Sequence, residues 1–354
     1  PVYTESDPAP NGIRPARFAA FVPLVGLEMA AAAEGADGGW REYMTHLVEL
    51  REAQPQQIGI FPFAIDRNAM HDTRLGEILG RYQRIAASNV DEAGETRTSM
   101  LHRDLAQGLA QMLAGDNARL TTFISHTKKH SRGEGDDVQH LLEMVRGIIR
   151  STRLSEFFDA SDLQPGGDWD QKLRENASKC ALLALRTDLY ASREWCQREV
   201  VIAKTSGMPV IMLDAIGTGE ERGSFLMDHA PRVPLRMQDG QWSRKDVYRG
   251  LNLLVDECLK RALWQRQKEL AVERPELDVA WWAPHAPEPL TLMHWIEGQM
   301  QDGATAGDGA LRLLHPDPPL GPEEKEVLCR YAGLTRLGRD IDVMTPRQLA
   351  MRGG

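Results

Sequence analysis

Apolar and polar positions form a regular pattern in the middle of the chain. Between residues 119 and 240, short continuous apolar runs alternate with segments whose apolar residues recur every three or four positions. Continuous runs are typical of strands buried on both faces of a parallel sheet, and the second spacing is typical of amphipathic helices. The pattern therefore predicts strands at 119–125, 155–159, 180–187, 209–216 and 233–238, and helices at 136–150, 168–179, 192–206 and 245–263.

The two ends of the chain differ from the middle in composition and in the pattern of apolar residues. Residues 1–12 are rich in Pro, Asp and Ser and predict a disordered leader, whereas residues 13–118 again alternate strand-like and helix-like segments. Beyond residue 265 the chain becomes polar and Pro-rich, with helix-like segments in between. We therefore predict an α/β fold in which a five-stranded parallel sheet domain with a closing helix, 119–264, is flanked by two smaller α/β units, 13–118 and 265–354.

Composition narrows the classes of function. A net charge of −9 and a pI near 5.6 argue against a direct nucleic-acid ligand, which needs clustered Lys and Arg. The four cysteines show no C-x-x-C spacing, so no metal site is predicted and a reduced, cytoplasmic protein is the simplest interpretation. No apolar run reaches the roughly 20 residues of a membrane span, and no G-x-x-x-x-G-K-[ST] phosphate loop occurs. The first residues lack the basic and apolar regions of a secretory signal, so we expect none.

Candidate chemistry lies where the predicted strands end. Ligands of open parallel sheets bind outside the carboxyl ends of the strands. Those ends carry polar residues in this sequence: Ser125, His126, Thr127 and Lys128 after the first strand, Asp159 after the second, Arg186, Thr187 and Asp188 after the third, and Asp214 after the fourth. We therefore expect a polar site at this edge of the sheet.

The helix predicted from Ser192 contains a carboxylate in an apolar stripe. Trp195, Glu199 and Ile202 share one helix face because they are spaced i, i+4 and i+7. Burial of an ionised carboxylate is costly, so Glu199 is expected either to have a raised pKa and a function or to be paired. In the second case Glu199 pairs with Arg198 or Arg193 on a solvated helix edge, and spacing alone leaves both alternatives open.

Three separated motifs carry a resemblance to a known family. They are F-I-S-H at 123–126, F-F-D at 157–159 with the following P-G-x-x-W at 165–169, and W-C-x-x-E at 195–199. In this order and spacing they resemble the bacterial branch of the TIR (Toll/interleukin-1 receptor) family, over about a third of the chain. The resemblance implies a flavodoxin-like sheet. TIR domains with a glutamate in the third motif are similar to NAD+ glycohydrolases, and this position falls on Glu199.

The resemblance also implies roles for the surrounding residues. Glu199 would be the catalytic carboxylate, and NAD+ would be the substrate, with no cofactor or metal. Substrate-binding roles are expected for Ser125, His126, Lys128, Asp159 and Trp195. Two alternatives remain open here, since His126 is equally expected as a structural hydrogen bonder and a core position is the commoner explanation for Trp195. The residues expected in a gating loop that also joins TIR domains are Asp162, Pro165, Gly166, Gly167 and Trp169.

The leading functional hypothesis is an NAD+-cleaving enzyme of bacterial immunity that forms homo-oligomers through TIR contacts. Two other classes remain: a non-catalytic TIR scaffold, and a nucleotide-sensing module in which an outer domain recognises an activating partner or second messenger. Cys196 lies near Glu199 but has no His beside it in the motif, so we interpret it as a small buried hydrophobe and not as a nucleophile.

Overall fold

The computed structural model describes most of the chain: residues 17–35, 38–82, 95–115, 120–127, 135–157, 180–220, 222–272, 277–301, 309–335, 337 and 339–352. The chain divides into two compact units, residues 1–118 and 119–354. Residues 265–354, predicted as a separate domain, belong to the second unit. Both units are mixed α/β structures with parallel strand pairing.

The first unit contains two small parallel sheets. Strand β1 (Ala19–Phe21) pairs with β3 (Ile58–Ile60), and β2 (Leu24–Val25) pairs with β4 (Phe63–Ala64). Its helices are α1 (Leu27–Glu34), α2 (Gly39–Ala53), α3 (Arg74–Leu79) and α4 (Arg97–Ala114). Helix α2 buries residues at i, i+3 and i+4, namely Met44, Leu47 and Val48, as its sequence pattern predicts.

The second unit is built on a five-stranded parallel sheet. Its strands are β5 (Thr121–His126), β6 (Ser155–Phe157), β7 (Cys180–Arg186), β8 (Val210–Asp214) and β9 (Arg232–Pro234). They lie in the order β6-β5-β7-β8-β9, and every neighbouring pair is parallel. The direction in which strands are added reverses beside β5 and β7, so a crevice is expected at the carboxyl ends of these two strands.

Three described helices accompany this sheet: α5 (Gly135–Ser151), α6 (Glu194–Thr205) and α7 (Arg244–Val272). Helix α6 begins two residues later than predicted, because Tyr190–Ser192 forms a short 3₁₀ turn first. Helix α7 continues past the predicted end at 263 and the predicted domain boundary, because Trp264 is buried and packs against Trp282. The helix predicted at 168–179 lies outside the described residues.

The last predicted strand, 233–238, is in fact two elements. Strand β9 ends at Pro234, whose missing N–H is tolerated because β9 is the edge strand of the sheet. Strand β10 (Met237–Gln238) then forms an antiparallel hairpin with β11 (Gln241–Trp242). Asp239 and Gly240 between them both have positive φ, 50° and 74°, as a two-residue hairpin turn requires. The Asp-Gly pair is the sequence signal that the strand prediction overlooked.

The C-terminal part of the second unit forms a further α/β layer. Strands β12 (Trp281–Trp282), β13 (Leu311–Leu314) and β14 (Ile341–Met344) make a parallel three-stranded sheet in that order. Its helices are α8 (Pro289–Gln301), α9 (Pro322–Gly333) and α10 (Pro346–Arg352). A buried ion pair between Lys204 of α6 and Glu288, just before α8, joins this layer to the five-stranded sheet.

Gly207 should not tolerate a side chain. It follows α6 with φ of +65°, and a Cβ atom added there would come within 2.7 Å of the Pro284 ring. We expect Gly207→Ala to lower the free energy of unfolding by at least about 1 kcal/mol, through backbone strain and this clash. Gly147→Ala is the matched control, because Gly147 is exposed inside α5 with open space around it, and it should stabilise by about 0.5–1 kcal/mol. Urea unfolding measures both, and equal effects would contradict the argument.

Within the described ranges, no helix combines the length and the apolar character needed to cross a bilayer.

Candidate functional site

Glu199 is a buried carboxylate at the carboxyl end of the parallel sheet. One face of helix α6 packs into the core that also contains Phe123 of β5. This face carries Cys196, Val200 and Ala203. Glu199 falls on this face and is 3% exposed. The alternative that Glu199 pairs with Arg198 or Arg193 placed it on a solvated helix edge. Its burial shows that this location is wrong.

The hydroxyl of Ser125 binds Glu199 directly. Ser125 lies near the end of β5, is 1% exposed, and donates a hydrogen bond to Glu199 Oε2. Its Oγ also lies 2.5 Å from the hydroxyl oxygen of Tyr190. A hydroxyl group has a single hydrogen, so Ser125 must accept from Tyr190 while it donates to Glu199. The three side chains form a directed chain of hydrogen bonds that ends on the carboxylate.

The core around Glu199 keeps its neighbours uncharged. Burial raises the pKa of Tyr190 well above its usual range, and the nearby Cys196 and Glu199 raise it further. Burial also raises the pKa of the Cys196 thiol to about 12, with Glu199 adding to the effect. Tyr190 therefore remains a hydrogen-bond donor at neutral pH, and Cys196 remains a thiol. This agrees with the interpretation of Cys196 as a buried hydrophobe without nucleophilic character.

Trp195 is not a core residue. It is 43% exposed, and the guanidinium carbon of Arg198 lies 5.4 Å from the centre of its ring. The expectation of a core position was wrong because Cys196, Val200 and Ala203 form the inward face of α6, which leaves Trp195 on its outer side. Trp195 and Glu199 are thus in different environments despite their i, i+4 spacing.

Polar side chains at the neighbouring strand ends hold the surrounding loops. Asp188, after β7, accepts hydrogen bonds from the backbone amides of Gly217 and Thr218, each at 2.8 Å, and from the Thr218 hydroxyl at 2.6 Å. Burial raises the pKa of Asp188, but these hydrogen bonds outweigh it and leave the pKa lowered. Asp188 therefore fixes the loop after β8 as a carboxylate.

Arg186 has a similar role on the same edge. Its guanidinium forms a two-point contact with Glu220, with Nε 2.8 Å from Oε1, and lies 3.4 Å from Asp214 Oδ1 on the adjacent strand. The hydrogen bond to Glu220 raises the pKa of Arg186 further, although burial opposes it. The predicted polar residues are thus present at the carboxyl ends of β7 and β8, where Arg186 and Asp188 position the neighbouring loops.

The remaining predicted site residues divide into two groups. His126 ends β5, with Nδ1 3.2 Å from the Thr127 carbonyl oxygen, and strand alternation turns it to the face opposite Ser125. Seven others lie outside the described residues: Lys128, Asp159, Asp162, Pro165, Gly166, Gly167 and Trp169. The structure thus brings Ser125 together with Glu199 and adds Tyr190, which the sequence analysis missed. Tyr190 lies four residues after the end of β7, so it could have been predicted together with the other polar residues at the strand ends.

No metal centre emerges in the part of the chain that the structure describes, where no group of three or more His, Cys, Asp and Glu side chains could hold an ion. Glu199 itself offers a buried carboxylate that accepts a hydrogen bond from the Ser125 hydroxyl. Such a group can stabilise a developing positive charge or accept hydrogen bonds from sugar hydroxyls.

Ser125→Ala should destabilise the protein more than Tyr190→Phe. The first change removes the bridge and leaves both the Tyr190 hydroxyl and a Glu199 oxygen without that contact, at a cost of about 1–3 kcal/mol. The second leaves Ser125 bound to Glu199 and should cost about 0.5–1.5 kcal/mol. Denaturant unfolding gives both values. The opposite order would contradict the directed chain of hydrogen bonds.

Comparison with known proteins does not assign a family. No protein-family model matches the chain, and no curated protein matches it. Among solved structures, the chain is similar to the crystal structure of a candidate phosphosugar isomerase from Salmonella typhimurium LT2, at 9% identity and a TM-score of 0.24. The match covers 75% of this chain and 87% of the other. A likeness at this level carries no functional argument.

Proposed function

We propose that the five-stranded part of the second unit is a flavodoxin-like TIR domain that cleaves NAD+ between nicotinamide and ribose, with Glu199 as the catalytic carboxylate. The observation that supports it is the burial of Glu199 at the sheet's carboxyl end with the Ser125 hydroxyl bound to it. The strand order, with its reversal beside β5 and β7, also fits this proposal. In the cell the enzyme would act in bacterial antiviral defence, by depleting NAD+ or by producing a signal.

The chemistry of NAD+ suits a site with a single carboxylate. Cleavage passes through an oxocarbenium-like state, whose positive charge Glu199 would stabilise while binding the ribose hydroxyls. The nicotinamide ring of NAD+ is cationic and becomes a neutral molecule when its bond to ribose breaks. No general acid is therefore required, in contrast to enzymes that use two carboxylates to cleave sugars. Ser125 and Tyr190 would hold the carboxylate in position while it acts.

The burial of Glu199 adds a condition to this mechanism. Glu199 is only 3% exposed, which leaves too little surface for a ribose ring to lie against its carboxylate. Substrate binding therefore requires a displacement beside Glu199, and the proposal includes an opened, active state. Contacts between TIR domains are the proposed means of stabilising that state, because preorganisation by a neighbouring subunit offsets the cost of the displacement.

The direct test is incubation of the purified full chain with NAD+, followed by chromatographic separation of the products. Release of nicotinamide together with ADP-ribose or a cyclic form of it would support the proposal. Intact NAD+ in both dilute and concentrated protein would refute it.

Activity should depend on assembly. We expect the specific activity to rise steeply with protein concentration, because a second subunit would stabilise the opened state that exposes Glu199. The measurement is the NAD+ cleavage rate per subunit from nanomolar to micromolar protein, with the mass in solution determined in parallel. A constant specific activity from a monomer throughout this range would contradict assembly-dependent activation.

A second candidate is a non-catalytic TIR scaffold or nucleotide-sensing module that assembles with partner proteins. The hydrogen bond between Ser125 and Glu199 favours this candidate. A buried carboxylate held in this way can have a purely structural role, which is to fix α6 against β5. The two candidates differ in one result. A scaffold would retain its assembly but release no nicotinamide under any condition in which the chain oligomerises.

A further inference from the structure

A cavity of about 390 Å³ lies at the opposite edge of the five-stranded sheet from Glu199. Its wall is formed by the C-terminal end of α6, the start of β8, the middle of α7, and the segments 284–288 and 316–324 that lead into α8 and α9. Val210 begins β8, whereas Ser125 lies near the end of β5, and the two strands run in parallel. Because ligand-binding pockets measure roughly 300–1,000 Å³, the cavity can hold a small molecule.

Four charged side chains in the wall of the cavity form two ion pairs. Lys204 Nζ lies 2.9 Å from Glu288 Oε1, and both side chains are almost fully buried. Lys260 Nζ lies 2.5 Å from Glu257 Oε1, and Lys260 is exposed. Each of these cations already faces a carboxylate, so neither pair requires a counter-ion from a ligand.

The other charged side chains of the wall do not call for a charged ligand either. Glu324 accepts a hydrogen bond at 2.9 Å from the backbone amide of Gly321, at the start of its own helix. Arg261 has interactions of its own within the chain. Asp317 is exposed to solvent, which screens its charge. The wall therefore combines three cations with four carboxylates, and an uncharged ligand suits it better than an anion.

His285 lines the cavity without a hydrogen-bond partner. Its side chain is half-buried, and its ring nitrogens make no hydrogen bond within the described part of the chain. Polar groups in the interior of a protein are normally hydrogen-bonded, so an imidazole without a partner beside a cavity points to a bound molecule.

The imidazole of His285 is uncharged at pH 7. Burial, followed by the positive charges of Lys204 and Arg261, lowers its pKa to about 4. A neutral imidazole has an N–H donor at one nitrogen and an acceptor at the other. A ligand whose edge carries both donors and acceptors can therefore bind either nitrogen.

The remaining wall is rigid and apolar. It is formed largely by proline rings, at Pro209, Pro231, Pro284, Pro316, Pro318 and Pro319. Proline lacks a free φ torsion, so these surfaces lose little conformational freedom when a ligand packs against them. The apolar face of an aromatic ring suits such a wall. A sugar ring suits it less well, because its hydroxyl groups would lose water without gaining hydrogen bonds there.

We propose that this cavity binds an uncharged planar heterocycle of the nucleobase type, with its polar edge hydrogen-bonded to His285 and its flat face against the proline wall. Nucleobases combine the two properties that the wall requires, an aromatic face and an edge of donors and acceptors. The site is separate from Glu199 and does not depend on NAD+ cleavage. Because Lys204 lies in its wall and belongs to the helix that carries Glu199, the ligand would lie beside the far end of that helix.

The test is calorimetric titration of the full chain with adenosine, guanosine, cytidine, uridine and ribose. We expect at least one nucleoside to bind with a Kd below about 1 mM, and ribose to bind at least about tenfold more weakly because it lacks the heterocycle. The 5′-monophosphate of the best nucleoside should bind less than about fivefold more tightly than the nucleoside, since the charges of the wall are already engaged.

Three results would overturn the proposal. The first is that none of the four nucleosides binds at about millimolar concentration. The second is equal affinity for ribose and the best nucleoside, because the heterocycle would then contribute nothing. The third is that the monophosphate binds about fivefold more tightly or better, because the cavity would then recognise a phosphate and not an uncharged ring.

Three variants locate the binding. His285→Phe keeps a ring but removes the hydrogen bond, and it should weaken nucleoside binding by at least about fivefold. Ala286→Phe fills the cavity without changing charge, should also prevent binding, and decides the test if His285→Phe fails to fold. His294→Phe is the matched control, because His294 is exposed on α8 outside the cavity wall, and it should leave the affinity unchanged. Native affinity in either of the first two variants would show that the proposal is wrong.

Discussion

Glu199→Gln should reduce NAD+ cleavage by about 100- to 1,000-fold while leaving the fold intact. The amide oxygen of glutamine can still accept the hydrogen bond from Ser125, so the packing of α6 against β5 is preserved. What disappears is the negative charge that would stabilise the oxocarbenium-like state, and loss of a preorganised electrostatic group costs about 10²–10³ in rate. The measurement is nicotinamide release in a single-turnover assay, at a protein concentration that gives activity in the native chain.

Glu194→Gln is the matched control for this prediction. Glu194 lies on the same helix, five residues earlier, but is exposed in the first turn. The same chemical change there should leave the cleavage rate within about twofold, and it should lower the free energy of unfolding by less than about 1 kcal/mol through the helix dipole. Native-like turnover in Glu199→Gln would exclude Glu199 as the catalytic carboxylate.

Lys204→Met should have the largest effect on stability among the single changes considered. Lys204 and Glu288 have side chains that are each 5% exposed, and Lys204 Nζ also donates to the backbone carbonyl of Asp228. Removal of the ammonium leaves a buried carboxylate without its cation, which typically costs about 3–5 kcal/mol. Urea unfolding of the full chain, followed by both circular dichroism and tryptophan fluorescence, measures the loss.

The double variant Lys204→Met/Glu288→Leu separates the pair from the packing. Removing both charges avoids the uncompensated carboxylate, so the double variant should be more stable than the sum of the single changes predicts, by about 1–3 kcal/mol. Lys260→Met serves as the control. Its partner Glu257 is closer, but Lys260 is 54% exposed, and breaking an exposed pair costs less than about 1 kcal/mol. Additive effects at Lys204 and Glu288 would show that the ion pair does not hold the two layers together.

The periodicity of the sequence is sufficient to predict most elements of the five-stranded part of the second unit. The run at Cys180–Arg186 is apolar at nearly every position because β7 is buried on both faces, in the middle of the sheet. Helix α2 of the first unit likewise buries apolar residues spaced i, i+3 and i+4. These predictions succeed because burial on one face or on both faces directly determines the order of apolar residues.

Periodicity fails at the edge of a buried helix face or where distant parts of the chain meet. The register of Trp195 and Glu199 suggests a common face, but Glu199 lies with Cys196 and Val200 on the face that packs on the sheet, whereas Trp195 is 43% exposed. Ser125 and Glu199 are 74 residues apart, and Tyr190 comes from a third segment. Only the strand order brings the three together, and local spacing contains no information about that order.

Helix α6 meets two separate requirements within six consecutive residues, Glu199 to Lys204. Glu199 and Lys204 are five positions apart, which on a helix means about 7.5 Å along the axis and about 500° of turn. One residue must point at β5 while the other reaches Glu288. A single residue inserted between them would turn one side chain by about 100° relative to the other. The helix therefore admits substitutions but no change of length between these positions, and homologous chains should align across this segment without a gap.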